Sequence, residues 1–233
     1  MEQIQSAKRT KEQSNIKGAS FRKKWVYEFG KRIFDFVSSL IVSIVLIVPC
    51  LIIATMIFIA DPGNPFYVQE RIGKGMKPIK VVKFRSMVKN AEDLQTALSP
   101  EEYERYLKEF KLENDPRLLP HNVGNFIRRT SLDELPQIIF NICIKGNMSV
   151  IGPRPILLEE LEMNYTPEQQ KLLTSVKPGL TGYWQANARN NAGYESGKRQ
   201  EMELYYVHNR SALLDIKILF QTVVAVIKRN GAR

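Results

Sequence analysis

Residues 37–60 read VSSLIVSIVLIVPCLIIATMIFIA, two dozen residues without a charge. A helix needs about 20 apolar residues to cross a bilayer core, so this run is long enough to enter one. It is too long for the apolar part of a cleavable signal, and no small-x-small site follows it. Pro49 stands in its middle, where proline removes a backbone hydrogen bond and crowds the preceding turn. The flanks indicate how the run is used. Lys23, Lys24, Lys31 and Arg32 precede it, and Arg71, Lys74, Lys77 and Lys80 follow. Cytoplasmic flanks are rich in Lys and Arg, and a straight span would put only one of these flanks there. A re-entrant helix, broken at Pro49 and returning to the same face, satisfies both.

Working outward, residues 1–30 are basic and lack hydrophobic periodicity, which predicts a disordered or surface-bound arm. Residues 31–61 form the re-entrant segment, and 62–233 remain for one sizeable domain. The formal net charge of the 233-residue chain is +10, so anionic partners are expected: nucleic acid, a membrane surface or phosphorylated substrates. Aromatic residues do not interleave with the basic ones in a stacking pattern, which argues against nucleic acid. Cys50 and Cys143 lie in apolar runs with no CxxC and no neighbouring histidine. That excludes a disulfide framework and a zinc site as organising features. His121 and His208 read as local hydrogen-bonding residues.

The remaining pattern predicts an α+β fold dominated by helices. FYVQERIGKGMKPIKVVKF (66–84) reads as a short β-hairpin around Gly73-Lys74-Gly75. Ser99-Pro100-Glu101-Glu102 has an N-cap, a proline at the first helical position and a capping-box acid. ELPQIIFNICI (134–144) reads as a helix ended by Lys145-Gly146-Asn147. SVIGPRP (149–155) and KPGLTGYWQANARNN (177–191) read as loops, where binding chemistry usually sits. The last segment, LLDIKILFQTVVAVIKR, is apolar around much of its circumference. It suits a core helix or an amphipathic helix in the membrane interface equally well.

RRTSLDELPQ (128–137) carries the chemistry. Ser131-Leu132-Asp133-Glu134 fits a second capping box, and acids suit a helix N-terminus. Around it the chain also holds Lys83, Arg85, Arg128, Arg154 and Arg189 in or beside short strands and loops. Arg binds phosphate with a planar fork and Lys with a point charge. Handling a diphosphate takes a divalent metal on carboxylate, cations on phosphate oxygens and an in-line nucleophile. Aspartate can be that nucleophile. No Walker-type glycine loop is present, so ATP-driven chemistry has no support.

These residues resemble the small bacterial sugar transferases, monotopic polyprenyl-phosphate phosphoglycosyl transferases. The resemblance runs from about Lys31 to the C-terminus through KRIFDF, the proline-centred apolar run, VQERIGKGMKPIKVVKFRSM, IRRTSLDELPQIIFNICIKGNMSVIGPRP, KPGLTGYWQANARN and LLDIKILFQT. It implies that Asp133 attacks the β-phosphate of a UDP-sugar and expels UMP, and that polyprenyl phosphate then takes the phosphosugar. Glu134 is implied as the second acid, associated with Mg²⁺. Arg128, Arg154 and Arg189 are implied as phosphate-binding positions, with Lys83 and Arg85 in the basic KFRSM stretch. The resemblance implies attachment to the cytoplasmic face of the bacterial inner membrane by the re-entrant helix, with amphipathic helices at the interface, and a basic surface suits anionic lipid. Such enzymes begin glycan assembly in capsule, exopolysaccharide and glycoprotein pathways. Val48 stands where many relatives have Ser, Ala188 where they have Gly, and Glu203 where many have Asp, so Glu203 is left out of the expected site. Two other readings stay open: a UDP-sugar glycosyltransferase that releases UDP, and a non-catalytic basic membrane protein. The sugar and the oligomeric state are left open.

Overall fold

The structure, a computed structural model, describes residues 2–227 except 90, 92, 110, 111, 113, 114, 189–193 and 195. Side chains are described from Trp25 onward, and of residues 94, 95, 108, 109, 226 and 227 only the backbone is described. The chain begins with a helix, α1, spanning Glu2–Ala60. A hairpin follows, β1 (Phe66–Ile72) and β2 (Pro78–Phe84). Next come α2 (Leu94–Ala97), α3 (Pro100–Glu109) and α4 (Val123–Arg129). A 3₁₀ turn, Leu132–Glu134, leads into α5 (Leu135–Gln137), which continues as a π-helical segment, Ile138–Ile144. The remainder is β3 (Ser149–Ile151), α6 (Leu158–Asn164), α7 (Pro167–Leu173), β4 (Gly179–Thr181), α8 (Tyr183–Ala188), α9 (Lys198–Asn209) and α10 (Ala212–Ile227). The expected helix-dominated α+β class is what is observed.

Two features of α1 bear on its expected arm and break. Pro49 lies inside the helix, which continues on both sides of it; a proline deletes one N–H donor, and the surrounding i→i−4 bonds keep the flanking turns helical. The helix also extends back to Glu2, where the sequence pattern suggested an arm. That stretch contains no proline, and a formed helix propagates into its flanks more readily than it nucleates anew. From Trp25 to Ala60 only 11% of the most apolar window is buried in the protein, which distinguishes α1 from a core helix. Val45, Val48 and Ile59 are each more than 60% exposed.

What α1 does bury is specific. Ile53 and Ile57 enter a cluster with Phe84, Leu119 and Ile127, joined by Leu132 and Leu135. Near its other end Asp35, 2% exposed, accepts the Val150 N–H at 2.9 Å. Asp215 on α10 accepts from Tyr27 Oη at 2.9 Å, Lys31 Nζ at 2.7 Å and Tyr206 Oη at 2.9 Å, tying α1 to the last helix.

The hairpin forms as read, β1 and β2 pairing antiparallel from Phe66↔Phe84 to Ile72↔Pro78. The Ser99 capping box also forms, with Ser99 N donating to Glu102 Oε2 at 2.9 Å and Glu102 N to Ser99 Oγ at 3.3 Å. The two expected loops do more than connect: β3 and β4, drawn from them, pair in parallel, and α8 follows directly. Their backbones pass so closely that a Cβ on Gly179 would lie 2.1 Å from Gly152 N, so only glycine fits there. Strands of three residues are too short to show a period-two pattern, which is why sequence reads them as loop. On α10, Asp215 and Ile218 face the core while Leu213, Ile216, Phe220 and Val223 form an exposed apolar stripe. One face of the helix is thus packed in the core, and the opposite face is apolar and exposed.

Candidate active site

Asp133 and Glu134 occupy the 3₁₀ turn after α4. The expected capping box at Ser131 does not form. Ser131 adopts left-handed φ 57°, ψ 21°, its side chain makes no cap hydrogen bond, and Glu134 N bonds the Ser131 carbonyl at 3.2 Å. An N-cap needs an extended backbone to bring its hydroxyl over the third N–H, and the left-handed turn denies it that. The Glu134 side chain instead meets Lys83 Nζ at 3.3 Å, and Asp133 lies 3.9 Å from the same ammonium. The two carboxylate side chains are 14% and 24% exposed, sheltered yet reachable.

Lys83 is aimed by the hairpin. Asn141, fully buried in the π-helical segment, accepts the Val82 N–H at 3.0 Å and donates to the Lys80 carbonyl at 2.8 Å and to Asn147 Oδ1 at 3.1 Å. One side chain thereby fixes β2 against the helix that follows the dyad. Short π segments often accompany functional positions. Sequence reading passed over Asn141, whose only signal is a polar residue within IIFNICI.

The expected arginines divide. Arg154 lies in electrostatic reach of Glu134. Its side chain, 34% exposed, meets Glu160 Oε1 at 3.1 Å, and its backbone N–H donates to Glu203 Oε2 at 3.2 Å. Arg85 turns to the C-terminal end of α1, donating to the Asp61 carboxylate at 2.5 Å and to the Asp61 carbonyl. A cation is stabilising at a helix C-terminus. Arg128 lies 3.8 Å from Asp115, which is held by Arg117 at 2.6 Å. Arg189 lies outside the described residues.

Behind Arg154 is a cluster that sequence reading missed. Glu160, 1% exposed, gathers Arg154 and Arg199 at 3.1 Å each and Arg71 at 3.7 Å, and accepts Tyr194 Oη at 2.6 Å. Burial alone would raise the Glu160 carboxyl, but Arg154, Arg199, the Tyr194 hydroxyl and Arg71 outweigh it and hold it below the usual range. Arg199 lies between the rings of Trp184 and Tyr194, 4.3 and 4.0 Å from their centroids. Arg71 Nη1 and Arg199 Nε are buried without hydrogen-bond partners. Glu203, left out of the site on sequence grounds, is 3% exposed and stands against the Arg154 backbone. Burial pushes its carboxyl up to about 7, opposed by Arg199 and Arg154. Arg199 and Glu203 stand four apart on α9, but no local spacing links that pair to residues 71, 154 and 160, so no sequence signal could have grouped the cluster.

Chemically, the arrangement offers two partly desolvated carboxylates, an ammonium between them and an arginine cluster beside them. Such a site can receive a negatively charged group and present a carboxylate oxygen to it.

Residues 26–229 match the bacterial sugar transferase family. The chain is 42% identical over 207 residues to the UDP-galactose-lipid carrier transferase of Erwinia amylovora, covering 88% of this chain and 42% of that protein. It is equally similar, with the same coverage, to the undecaprenyl-phosphate galactose phosphotransferase of Salmonella typhimurium. With the exopolysaccharide production protein ExoY of Sinorhizobium fredii it shares 38% identity over 206 residues, 87% of this chain and 88% of that protein. The chain therefore spans less than half the length of the first two relatives and most of the third.

Proposed function

The chain belongs to the bacterial sugar transferase family, and from that premise we propose that it moves a sugar-1-phosphate from a UDP-sugar to polyprenyl phosphate at a membrane surface. The observation that carries this reading is the convergence of Lys83 on Asp133 and Glu134, with Arg154 in reach of the pair. The names of the galactose phosphotransferase relative and of the Escherichia coli UDP-glucose:undecaprenyl-phosphate glucose-1-phosphate transferase, 39% identical over 197 residues, support the substrate pair.

In the proposed reaction an Asp133 carboxylate oxygen forms a bond to the β-phosphorus of the UDP-sugar. The bond from that phosphorus to the bridging oxygen breaks, and UMP leaves with the electron pair. A phosphate oxygen of the polyprenyl acceptor then attacks the same phosphorus. The bond to Asp133 breaks, the carboxylate is restored and a polyprenyl-diphosphate-linked sugar departs. Lys83 offsets the charge of the acids before donor arrives and that of the phosphates afterwards, and Arg154 orients the diphosphate.

Mg²⁺ belongs to the same proposal. Among the described residues no group of three or more His, Cys, Asp or Glu is placed to hold a metal by itself. Mg²⁺ commonly takes one or two carboxylates and completes its shell with substrate phosphates and water, and Glu134 beside Asp133 fits that donor set. Glu134 would hold the ion, which would supply neutralisation of the diphosphate oxygens.

Re-entrant attachment to the cytoplasmic face completes the reading. Arg32 Nη1 donates to the Ile142 carbonyl at 3.4 Å, while Ile53 and Ile57 pack in the cluster that Leu135 joins. From Leu135 to Ile142 is about 10 Å of helix, whereas straight helix from Arg32 to Ile57 would cover about 37 Å. In this reading α1 bends at Pro49, which would accommodate both dockings and leave the exposed apolar residues between them for lipid. The stripe Leu213, Ile216, Phe220 and Val223 supports an interfacial α10, and the basic chain suits anionic lipid.

The test is nucleotide release by the purified protein with Mg²⁺, undecaprenyl phosphate and a panel of UDP-sugars. UMP is the expected product. UDP would mean glycosyl transfer and would overturn the role of Asp133.

A further inference from the structure

A second basic site lies away from the acidic dyad, at the root of α1. A cavity of about 50 Å³ is bordered there by Lys31 and Arg32 of α1, Lys74 of the hairpin turn, Lys177 before β4, and Arg210 between α9 and α10. Five cationic side chains face two carboxylates, Glu28 and Asp35. The carboxylates are already committed. Glu28 pairs with Arg210 at 2.9 Å, and Asp35 accepts the Val150 N–H. Lys31 is held by Asp215 at 2.7 Å. Among the described residues neither Lys74 nor Lys177 forms an ion pair, and Arg32 bonds only a carbonyl. Ser149, 2% exposed, lines the same cavity beside Asp35.

Converging like charges are unfavourable unless something neutralises them. Lys177 registers this: burial and then Arg32 push its ammonium below the ordinary value, Lys74 adds to them, and Asp35 and Glu28 oppose them without restoring it. Three unpaired cations around a polar-floored cavity are a complement for a phosphate group, which accepts several charge-assisted hydrogen bonds at once. The cavity's height indicates the source of that phosphate. Lys31 and Arg32 are the last cations of α1 before its uncharged run; Trp25, Val26 and Phe29 are exposed on the turns before them, and Ile33 and Phe34, 50% and 46% exposed, follow. The site therefore lies where α1 changes from charged to apolar, the level of lipid headgroups.

We infer that the cavity formed by Arg32, Lys74 and Lys177 is a phosphate-binding site, separate from the Asp133–Glu134 centre, that takes the headgroup phosphate of an anionic phospholipid. The lipid source rests on the membrane attachment proposed above; the phosphate chemistry does not. A lipid held there clamps the hairpin turn, the segment before β4 and α1 together at the membrane surface.

Amine-selective labelling of the full-length protein, read by peptide mass spectrometry, tests this. Labelling of Lys177 is compared with that of exposed Lys171 in phosphatidylcholine bilayers, in the same bilayers containing phosphatidylglycerol, and in detergent with inorganic phosphate. The expected result is that phosphatidylglycerol slows labelling at Lys177 but not at Lys171. Lys74→Gln, a change on an exposed turn, should weaken that protection about fivefold, the effect of one basic residue near an anionic surface. Equal protection by inorganic phosphate in detergent would keep the site and assign it to free phosphate, overturning the lipid source. No protection in either arm would overturn the site. Co-sedimentation with phosphatidylcholine vesicles reports attachment separately, so a protein that fails to bind membranes is distinguished from one that lacks the phosphate site.

Discussion

Lys83 Nζ stands 3.3 Å from Glu134 and 3.9 Å from Asp133, so one ammonium serves two adjacent carboxylates from a strand some fifty residues earlier. Without it the acids would repel each other and any incoming phosphate. Lys83→Met should lower kcat about 100-fold, the scale of losing one preorganised electrostatic donor. Because Lys83 is only a quarter exposed and its loss leaves two sheltered carboxylates facing each other, the melting temperature should fall as well. Turnover within a few-fold of the parent would remove Lys83 from the site.

Asp133→Asn tests the nucleophile. UMP release should fall about 10³-fold or more, as when a catalytic nucleophile is removed, and intact-mass spectra should lose any phosphosugar adduct. Glu134→Gln should slow turnover while leaving a detectable adduct. An adduct that persists in Asp133→Asn would assign the covalent step elsewhere.

Glu160 holds three guanidinium groups at once. Removing one partner of a buried charge network leaves uncompensated charge, at a cost of about 3 kcal/mol or more. Glu160→Gln, which keeps the side-chain volume, should therefore lower the unfolding midpoint in denaturant and weaken use of the nucleotide-sugar through Arg154. An unchanged midpoint would show that the cluster is not coupled to stability.

Glu203 predicts a pH dependence. Its carboxyl is raised from 4.5 to about 7, chiefly by burial. Below pH 4.5 it is protonated folded and unfolded, with no effect. Between 4.5 and about 7 the unfolded chain ionises while the folded protein keeps the proton, so stability falls as pH rises. Above that range the loss is constant, roughly 3 kcal/mol from the two values. Glu203→Gln should flatten this part of the melting-temperature profile between pH 5 and 8. Identical slopes for parent and variant would show that Glu203 does not carry it.

Ser99 and Ser131 show how far local patterns reach. Both begin the same Ser-x-x-Glu signature, yet only Ser99 closes a capping box. At Ser131 the chain leaves α4 through a left-handed residue, and Glu134 is drawn to Lys83. A tertiary charge contact displaced the local one. Arg85 differs in the same way: it resembled a phosphate ligand beside Lys83 but is engaged by Asp61 at the end of α1.

The sequence by itself determined the features that depend on composition and local period. These are the uncharged run of α1, the hairpin, the helix after the dyad, the basic charge and the adjacent carboxylates. Tertiary structure alone decided which cations meet which acids. Arg71, Arg154 and Arg199 meet at Glu160, Glu203 stands behind the Arg154 backbone, and Asn141 aligns Lys83. A helix or strand announces itself through spacing of three to four or of two residues. A buried ion pair has no such spacing, because its partners are joined by packing across the whole chain.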